Sequence, residues 1–418
     1  MVRKLDVYLH ESRVGVLEQF ADASLSFTYN DEYLAAGVAR PVSVSMPLAP
    51  ATYENAVAGP FFSGLLPDES ARHRLASALG VSDTNAFGML EIIGGECAGA
   101  LALFKQDEAP GIPDVKDEIL TDRQLEDLLS ELRGNPLLGS RSDVRLSLAG
   151  AQDKLAVKKI DDQIALVKNG EPTTHILKPS IQGLAGSAQN ECFCMMLAAR
   201  LDLKVADVQF ATAGDMEYVL VKRFDRLHTG GDKVQRLHQE DFCQALSVPP
   251  EIKYEDEVGP GIERSLELIQ RVVAQPAADR LTFLKMQIFH FLVGNADAHA
   301  KNFALLHPLD ARAPSLAPLY DVVCTAAYSA LTKKIAMRIG KRNLPDTIKL
   351  KNWLQLVPDT KVSQRLLVRE LRHFATAIPP QAQTLLEESK QNGSDHPVLK
   401  DVCKVINSRA AQLLRDLS

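Results

Sequence analysis

From Leu5 to Val16 apolar and polar residues alternate: Leu5, Val7 and Leu9 precede the polar triplet Glu11-Ser12-Arg13, and Val14 and Val16 follow it. A period of two sends every second side chain to one face, so this stretch predicts a β-hairpin. Shorter runs predict strands over Leu25 to Tyr29 and Val42 to Met46. Gly94-Gly95 and Gly99 supply turn chemistry before a closing strand from Ala100 to Phe104. Residues 106–116, rich in Pro, Asp and Gly, read as a linker. Thr121 and Gln124 then form a capping-box pattern ahead of Leu125, Leu128, Leu129 and Leu132, predicting a helix that stops at Gly134.

Between Val144 and Phe224 β-branched and alternating runs dominate, predicting a sheet of about five strands with one helix over Glu191 to Leu201. After Gln235 the period changes to that of helices, expected over Gln239 to Leu246, Gly261 to Ala274, Arg280 to Val293, Trp353 to Leu356 and onward, Val362 to Ala377, Ala382 to Ser389 and Pro397 to Leu417. The fold class is α+β, and the order of patterns divides the chain into residues 1–107, a linker and tether helix over 108–139, a β-rich lobe over 140–234 and an α-helical lobe over 235–418.

A net charge of −6 over 418 residues lacks the basic excess that phosphate neutralisation needs, which argues against a nucleic-acid binder acting alone. Hydrophobic residues at 46% and charged residues at 24% are ordinary globular usage and exclude a disordered chain. The six cysteines have neither a disulfide framework nor zinc-ligand spacing. No leader-like or membrane-length apolar run occurs, so the chain reads as cytoplasmic.

The strongest chemical signal is GNADAHAKNFALL, which begins where the apolar helix carrying Leu281, Leu284, Ile288 and Phe291 runs out at Gly294. Asp297 is followed five positions later by Asn302, then by an apolar strand and by Tyr320-Asp321. Kinase-type phosphoryl transfer needs one carboxylate to take the hydroxyl proton, and an Asn and a second Asp to hold magnesium. An Asp–Asn pair at this spacing arises roughly once by chance in such a chain, so its weight comes from the surrounding order of elements. A turn-capping Asp is the competing reading for Asp297.

Upstream, Ser147 to Lys154 (SLAGAQDK) forms a small-residue segment that suits either a phosphate-side loop or a β-turn. Lys178 ends an apolar strand, where a phosphate anchor and a solvated ammonium are both possible, and Glu191 is its natural ion-pair partner. The run from Tyr218 to Arg226 leads toward the helical lobe, where a kinase hinge meets adenine; Phe224 is placed to pack on the base, or the run ends as a charged turn. His299 and Lys301 sit between base and metal ligand, with a structural role and a phosphate contact both open.

Together these motifs resemble the HipA family of toxin–antitoxin kinases over nearly the whole chain. VYLHESRVGVLEQF, SFTYNDEYL, GPFFSGLLPDE and GGECAGAL resemble its N-terminal domain, and LSLAGAQDKLAV, THILKP, KRFDR, LHQEDFCQALS and GNADAHAKNF its kinase portion. The resemblance implies an atypical bilobal protein-kinase-like fold with a β-rich N-terminal subdomain, ATP and Mg2+ as cofactors, and Ser or Thr acceptors. It makes Asp297 the base, Asn302 and Asp321 the metal ligands and Lys178 the phosphate anchor. Ala149, Gly150, Ala151, Gln152, Asp153 and Lys154 become the phosphate-side loop; Lys222, Arg223 and Phe224 become the hinge; His299, Ala300, Lys301, Asn302, Tyr320 and Asp321 line the nucleotide. Ser147 matches the family's autophosphorylated serine. A HipB-like helix-turn-helix antitoxin, operator DNA reached through that complex, and glutamyl-tRNA synthetase as substrate, with translation arrest and persistence as the outcome, are the implied partners and role. Asp153, Phe242 and Cys243 depart slightly from the family pattern. A small-molecule phosphotransferase and a non-catalytic corepressor are the alternative functions.

Overall fold

The computed structural model describes residues 2–37, 39–106, 108, 116–134, 152–168, 171–230, 233–309 and 313–418. The alternation at the start of the chain becomes strands β1 (Arg3–Leu9) and β2 (Ser12–Gln19), joined across a turn at His10 and Glu11. A bulge after Val7 skips Val14 and shifts the alternation, so Val14 and Leu17 are buried while Val16 lies half-buried opposite Asp6. Strand β3 (Leu25–Tyr29), helix α1 (Asp31–Ala35), strand β4 (Thr52–Tyr53), helices α2 (Asn55–Ser63), α3 (Glu69–Leu79) and α4 (Ala86–Ile93), and strand β5 (Leu101–Lys105) complete this domain. Its antiparallel sheet runs β4-β3-β2-β1-β5. Its own core includes Leu5, Leu17, Phe27, Phe61, Phe62 and Phe87.

Val42 to Met46 is not the expected strand. Val42 and Met46 are buried, but the segment is a turn with one bridge between Ser43 and Met46. Its backbone finds other partners: the Tyr29 hydroxyl accepts from Val42 N and donates to Met46 O, and Glu240 accepts from Val44 N at 3.0 Å and from Ser43 Oγ at 2.5 Å. Apolar alternation survives there without a ladder.

Strand β6 (Glu118–Ile119) and helix α5 (Asp122–Gly134) follow, then β7 (Leu155–Ile160), β8 (Gln163–Leu166), β9 (His175–Pro179), α6 (Ser187–Arg200), β10 (Val208–Ala213) and β11 (Met216–Lys222). Thr121 and Gln124 form the reciprocal capping bonds that the sequence predicts. The sheet order is β10-β11-β9-β7-β8-β6. Leu125, Leu128, Leu129 and Leu132 of α5 pack against Leu155, Val157, Leu166, Leu177 and Leu220, so α5 belongs to the core of this lobe rather than to a bare tether.

A short ladder of β12 (Arg226–His228) and β13 (Val234–Arg236) leads to β14 (His238–Asp241), α7 (Phe242–Ala245), α8 (Ile262–Val272), α9 (Pro276–Val293), β15 (Ala304–His307), β16 (Ser315–Leu316), α10 (Leu350–Leu354), α11 (Lys361–Gln391) and α12 (Pro397–Asp416). Two helix expectations change. Residues Gln239 to Leu246 are strand first and helix second, because β14 pairs with β15 and Asp241 then caps α7 in a capping box with Gln244. The two helices expected on either side of Pro379-Pro380 are one, α11, with both prolines inside it. An interior proline costs about 3 kcal/mol; burial of Phe374, Ile378, Ala382 and Leu385 on both sides of the pair offsets that. Helix α6 packs into this lobe's core through Cys194, Leu197 and Ala198, so it ties the two lobes together.

Candidate active site

Helix α9 ends at Gly294, whose φ of 79° and contact distances of 2.7 Å and 2.9 Å from a notional Cβ to Val405 and Ala326 exclude any other residue without rearrangement. The loop beyond it is held by its own polar groups. Asn295 Oδ1 accepts from Asp297 N at 2.9 Å, Thr325 Oγ1 accepts from Ala296 N at 2.8 Å, and Asn302 Nδ2 donates to the Asp297 carbonyl at 2.9 Å. The last bond turns the amide so that its Oδ1 is the atom left for a cation.

The Asp297 carboxylate receives the Tyr254 hydroxyl at 2.7 Å on Oδ1. Burial pushes this carboxyl up to about 6, while the Tyr254 hydrogen bond and the Lys253 charge pull the other way. An ionisable oxygen poised near neutrality, fixed in a loop, is what a general base requires.

Lys178 Nζ lies 2.7 Å from Glu191 Oε1 and 2.6 Å from Asp321 Oδ1, linking β9, α6 and the segment after Tyr320 in one triad. Glu191 sits a turn inside α6, which begins at Ser187, so a helix-start role is replaced by the ion pair. Burial works against charge on all three. The two carboxylates nonetheless hold the Lys178 ammonium above its ordinary range, and Lys178 with Lys154 holds Asp321 well below the carboxylate range. Burial raises Glu191. Asp321 adopts a left-handed φ of 59°, an uncommon backbone for a residue with a Cβ and a frequent mark of functional sites.

These groups face one cavity of about 690 Å³, lined by Lys154, Lys178, Asp297, Asn302 and Asp321 on its polar side and by Ile176, Leu184, Val221, Phe224 and Tyr320 on its apolar side. The Phe224 and Tyr320 rings lie 5.5 Å apart at 34°, and Tyr320 O–H donates to the Lys301 carbonyl at 2.8 Å. Volume and lining suit a nucleotide-sized ligand. Gln152 borders the cavity with Nε2 on the Pro179 carbonyl at 3.0 Å, and burial pushes the Lys154 ammonium down to about 8.

Several expected contacts are redirected. Asp153 pairs with Arg74 of α3 at 2.5 Å. The Arg223 guanidinium is committed to Asp225 at 2.8 Å, Glu96 at 3.3 Å and the Thr173 hydroxyl at 2.9 Å, which leaves its main chain as the hinge contact. Lys301 borders the cavity, and its Nζ donates to Asp241 at 2.7 Å and to the Gly64 carbonyl at 3.2 Å. His299 is buried, with its ring edge-to-face with Tyr254 at 5.1 Å, and burial with nearby lysines keeps it neutral. Ala300 is buried and Lys222 is exposed at the end of β11. Ser147, Ala149, Gly150 and Ala151 lie outside the described residues. Tyr254, Lys253 and Asp68 escaped the sequence reading, since no local spacing links them to the base.

Residues 5–104 match the family described as HipA N-terminal domain, and residues 146–382 match the HipA-like C-terminal domain. The chain belongs to the HipA family. Y4mE of Sinorhizobium fredii, named as a candidate kinase, is 40% identical over 392 residues, covering 93% of each chain. The HipA of Shewanella oneidensis, named a serine/threonine-protein kinase toxin, is 28% identical over 389 residues, covering 90% of this chain and 87% of its own. The structure of Shewanella oneidensis HipA in complex with HipB and operator DNA superposes with a TM-score of 0.81 at 26% identity, covering 99% of this chain and 96% of that one. The fold is therefore the bilobal HipA fold, α+β, with a β-rich N-terminal subdomain packed on the lobes.

Proposed function

We propose that this HipA-family chain is an ATP-dependent protein kinase acting on Ser or Thr hydroxyls, and the toxin of a toxin–antitoxin pair. The observation that carries this reading is the convergence of the Lys178–Glu191 ion pair, Asp321 and Asp297 on one cavity, because an anchored lysine, a metal-loop aspartate and a base aspartate are the parts that kinase phosphoryl transfer requires. Asp297 takes the proton of the acceptor hydroxyl as its oxygen bonds to the γ-phosphorus and the bond to the ADP oxygen breaks. Lys178 and Lys154 meet phosphate charge. Phe224, Tyr320 and the Lys222–Phe224 main chain receive the adenine. Asn302 Oδ1 and Asp321 are hard oxygen donors, and together with phosphate oxygens they suit Mg2+, which when bound neutralises phosphate charge. No group of three or more His, Cys, Asp or Glu side chains among the described residues forms a metal cage by itself, in keeping with a cation shared with a nucleotide.

Similarity to a structure holding HipB and operator DNA supports a HipB-like antitoxin as partner, and the net charge of −6 favours DNA contact through that antitoxin. Family resemblance makes Ser147 the autophosphorylated serine, and a phosphate there adds about −1.5 to −2 charge, so we read it as the silencing modification: the phosphoprotein should bind ATP more weakly than the unmodified chain in a nucleotide titration. Family resemblance favours glutamyl-tRNA synthetase as acceptor.

Incubation with γ-labelled ATP, Mg2+ and cell lysate tests the function. Label on a protein band, absent with Asp297→Asn, is the expected result. Label confined to a metabolite points to a small-molecule phosphotransferase, and full toxicity of Asp297→Asn points to a corepressor.

A further inference from the structure

The N-terminal-domain motif GPFFSGLLPDE, Gly59 to Glu69, reaches the base loop of the kinase lobes. The Gly64 carbonyl accepts from Lys301 Nζ at 3.2 Å. Asp68 Oδ2 lies 3.3 Å from Lys253 Nζ, Asp68 Oδ1 lies 3.8 Å from Lys301 Nζ, and Glu69 Oε1 adds a 2.8 Å contact to Lys253. Asp68, Lys253 and Lys301 are 4%, 3% and 6% exposed, so these are desolvated charges rather than surface pairs.

Two features set Asp68 apart from an ordinary helix cap. It occupies the N-cap of α3, where Asp normally accepts from its own helix, yet makes no side-chain capping bond. Glu69 follows in a left-handed backbone with φ 49°, a strained arrangement that turns both carboxylates toward Lys253. Asp68 Oδ1 has no hydrogen-bond partner among the described residues, and Asp68 borders the same cavity as Asp297.

The two lysines it faces flank the machinery. Lys253 precedes Tyr254, whose hydroxyl binds Asp297 Oδ1, and Lys301 precedes Asn302, whose amide binds the Asp297 carbonyl. We propose that Asp68 is a positioning residue for phosphoryl transfer, fixing from the N-terminal domain, through Lys253 and Lys301, the loop that carries Asp297 and Asn302. The N-terminal domain thereby completes the active site as well as covering it. This inference rests on the kinase reading above.

The test is ADP formation from Mg2+-ATP by the purified full chain with a lysate protein fraction as acceptor, with nucleotide affinity and melting temperature measured alongside. Asp68→Asn is expected to lower kcat roughly 10- to 100-fold, as small displacements of reacting groups do, with KM for ATP changed less than about threefold. Asp68→Glu restores part of kcat. Because Asp68→Asn removes one of the two carboxylates at buried Lys253 and can weaken the fold, Asp68→Asn with Lys253→Met serves as a second variant: it regains melting temperature but not kcat. Wild-type kcat in either folded variant overturns the proposal. So does a loss of ATP affinity matching the loss of kcat, which would reduce Asp68 to cavity support. A wild-type chain that forms no ADP even with the acceptor fraction overturns the kinase reading itself, a result distinct from either.

Discussion

At the residue scale the proposed reaction turns on the ionisation of Asp297. Burial holds its carboxyl at about 6, above the ordinary carboxylate range, and the base must be ionised to accept a proton. The kcat/KM profile, which reports the free enzyme, should therefore fall away below about pH 6. Tyr254→Phe removes a hydrogen bond that favours the ionised form, so its acid limb should move to higher pH; an unmoved limb would show that Tyr254 does not tune the base. Between the ordinary value and about 6 the folded chain keeps a proton that the unfolded chain releases, so this group lowers stability as pH rises through that window, and the cost persists above it. Asp297→Asn should thus melt roughly 1–3 °C higher than wild type at pH 7.5 while losing activity. The Lys178–Glu191 pair and the gathering of Asp297, Asn302 and Asp321 at one cavity were legible in the sequence, because the roles proposed for them tie residue type to chain order. Tyr254 and Asp68 were not: Tyr254 meets Asp297 across 43 positions and Asp68 meets Lys253 across 185, and no periodicity encodes such contacts.

At the element scale the triad of Lys178, Glu191 and Asp321 fixes β9 and α6 against the segment that carries Asp321. Lys178→Met leaves Glu191, 2% exposed, without its cation; breaking a buried pair in this way costs about 3–5 kcal/mol. Chemical denaturation should show a loss of that order together with loss of ATP turnover. A loss of stability below about 1 kcal/mol would mean the pair behaves as an exposed one. Elements whose period and caps agree, such as the β1–β2 hairpin, α5 and α9, were readable from sequence. Val42 to Met46, Gln239 to Leu246 and Pro379-Pro380 were not, because in each a tertiary partner overrode the local signal: Tyr29 and Glu240 in the first, β15 in the second, and a buried apolar face in the third.

On the scale of the whole molecule the N-terminal domain is locked to the segment after β11 as well as to the loop that carries Asp297 and Lys301. Glu96 accepts from Arg226 at 2.9 Å and from Arg223 at 3.3 Å, Asp225 Oδ2 accepts from Gly99 N at 2.8 Å, and all four charged side chains are buried. A Cβ at Gly99 would lie 2.6 Å from Gln239 N, so only glycine permits this approach. Calorimetry on the full chain should therefore find the N-terminal domain and the β-rich lobe melting in one transition, with Glu96→Ala lowering its midpoint; two separated transitions in the wild type would show that the charged seam does not couple them. The sequence showed an N-terminal unit and two lobes in order, but the seam between them depends on residues far apart in the chain.

The central claim is that Asp297 serves as the base of an ATP phosphotransfer site, and the most direct measurement is the rate of ADP formation from Mg2+-ATP in the presence of a protein acceptor fraction by wild type and Asp297→Asn at matched nucleotide occupancy. The account predicts a fall of roughly 10²–10⁴ in rate with nucleotide affinity retained. Equal rates in the two proteins would contradict it.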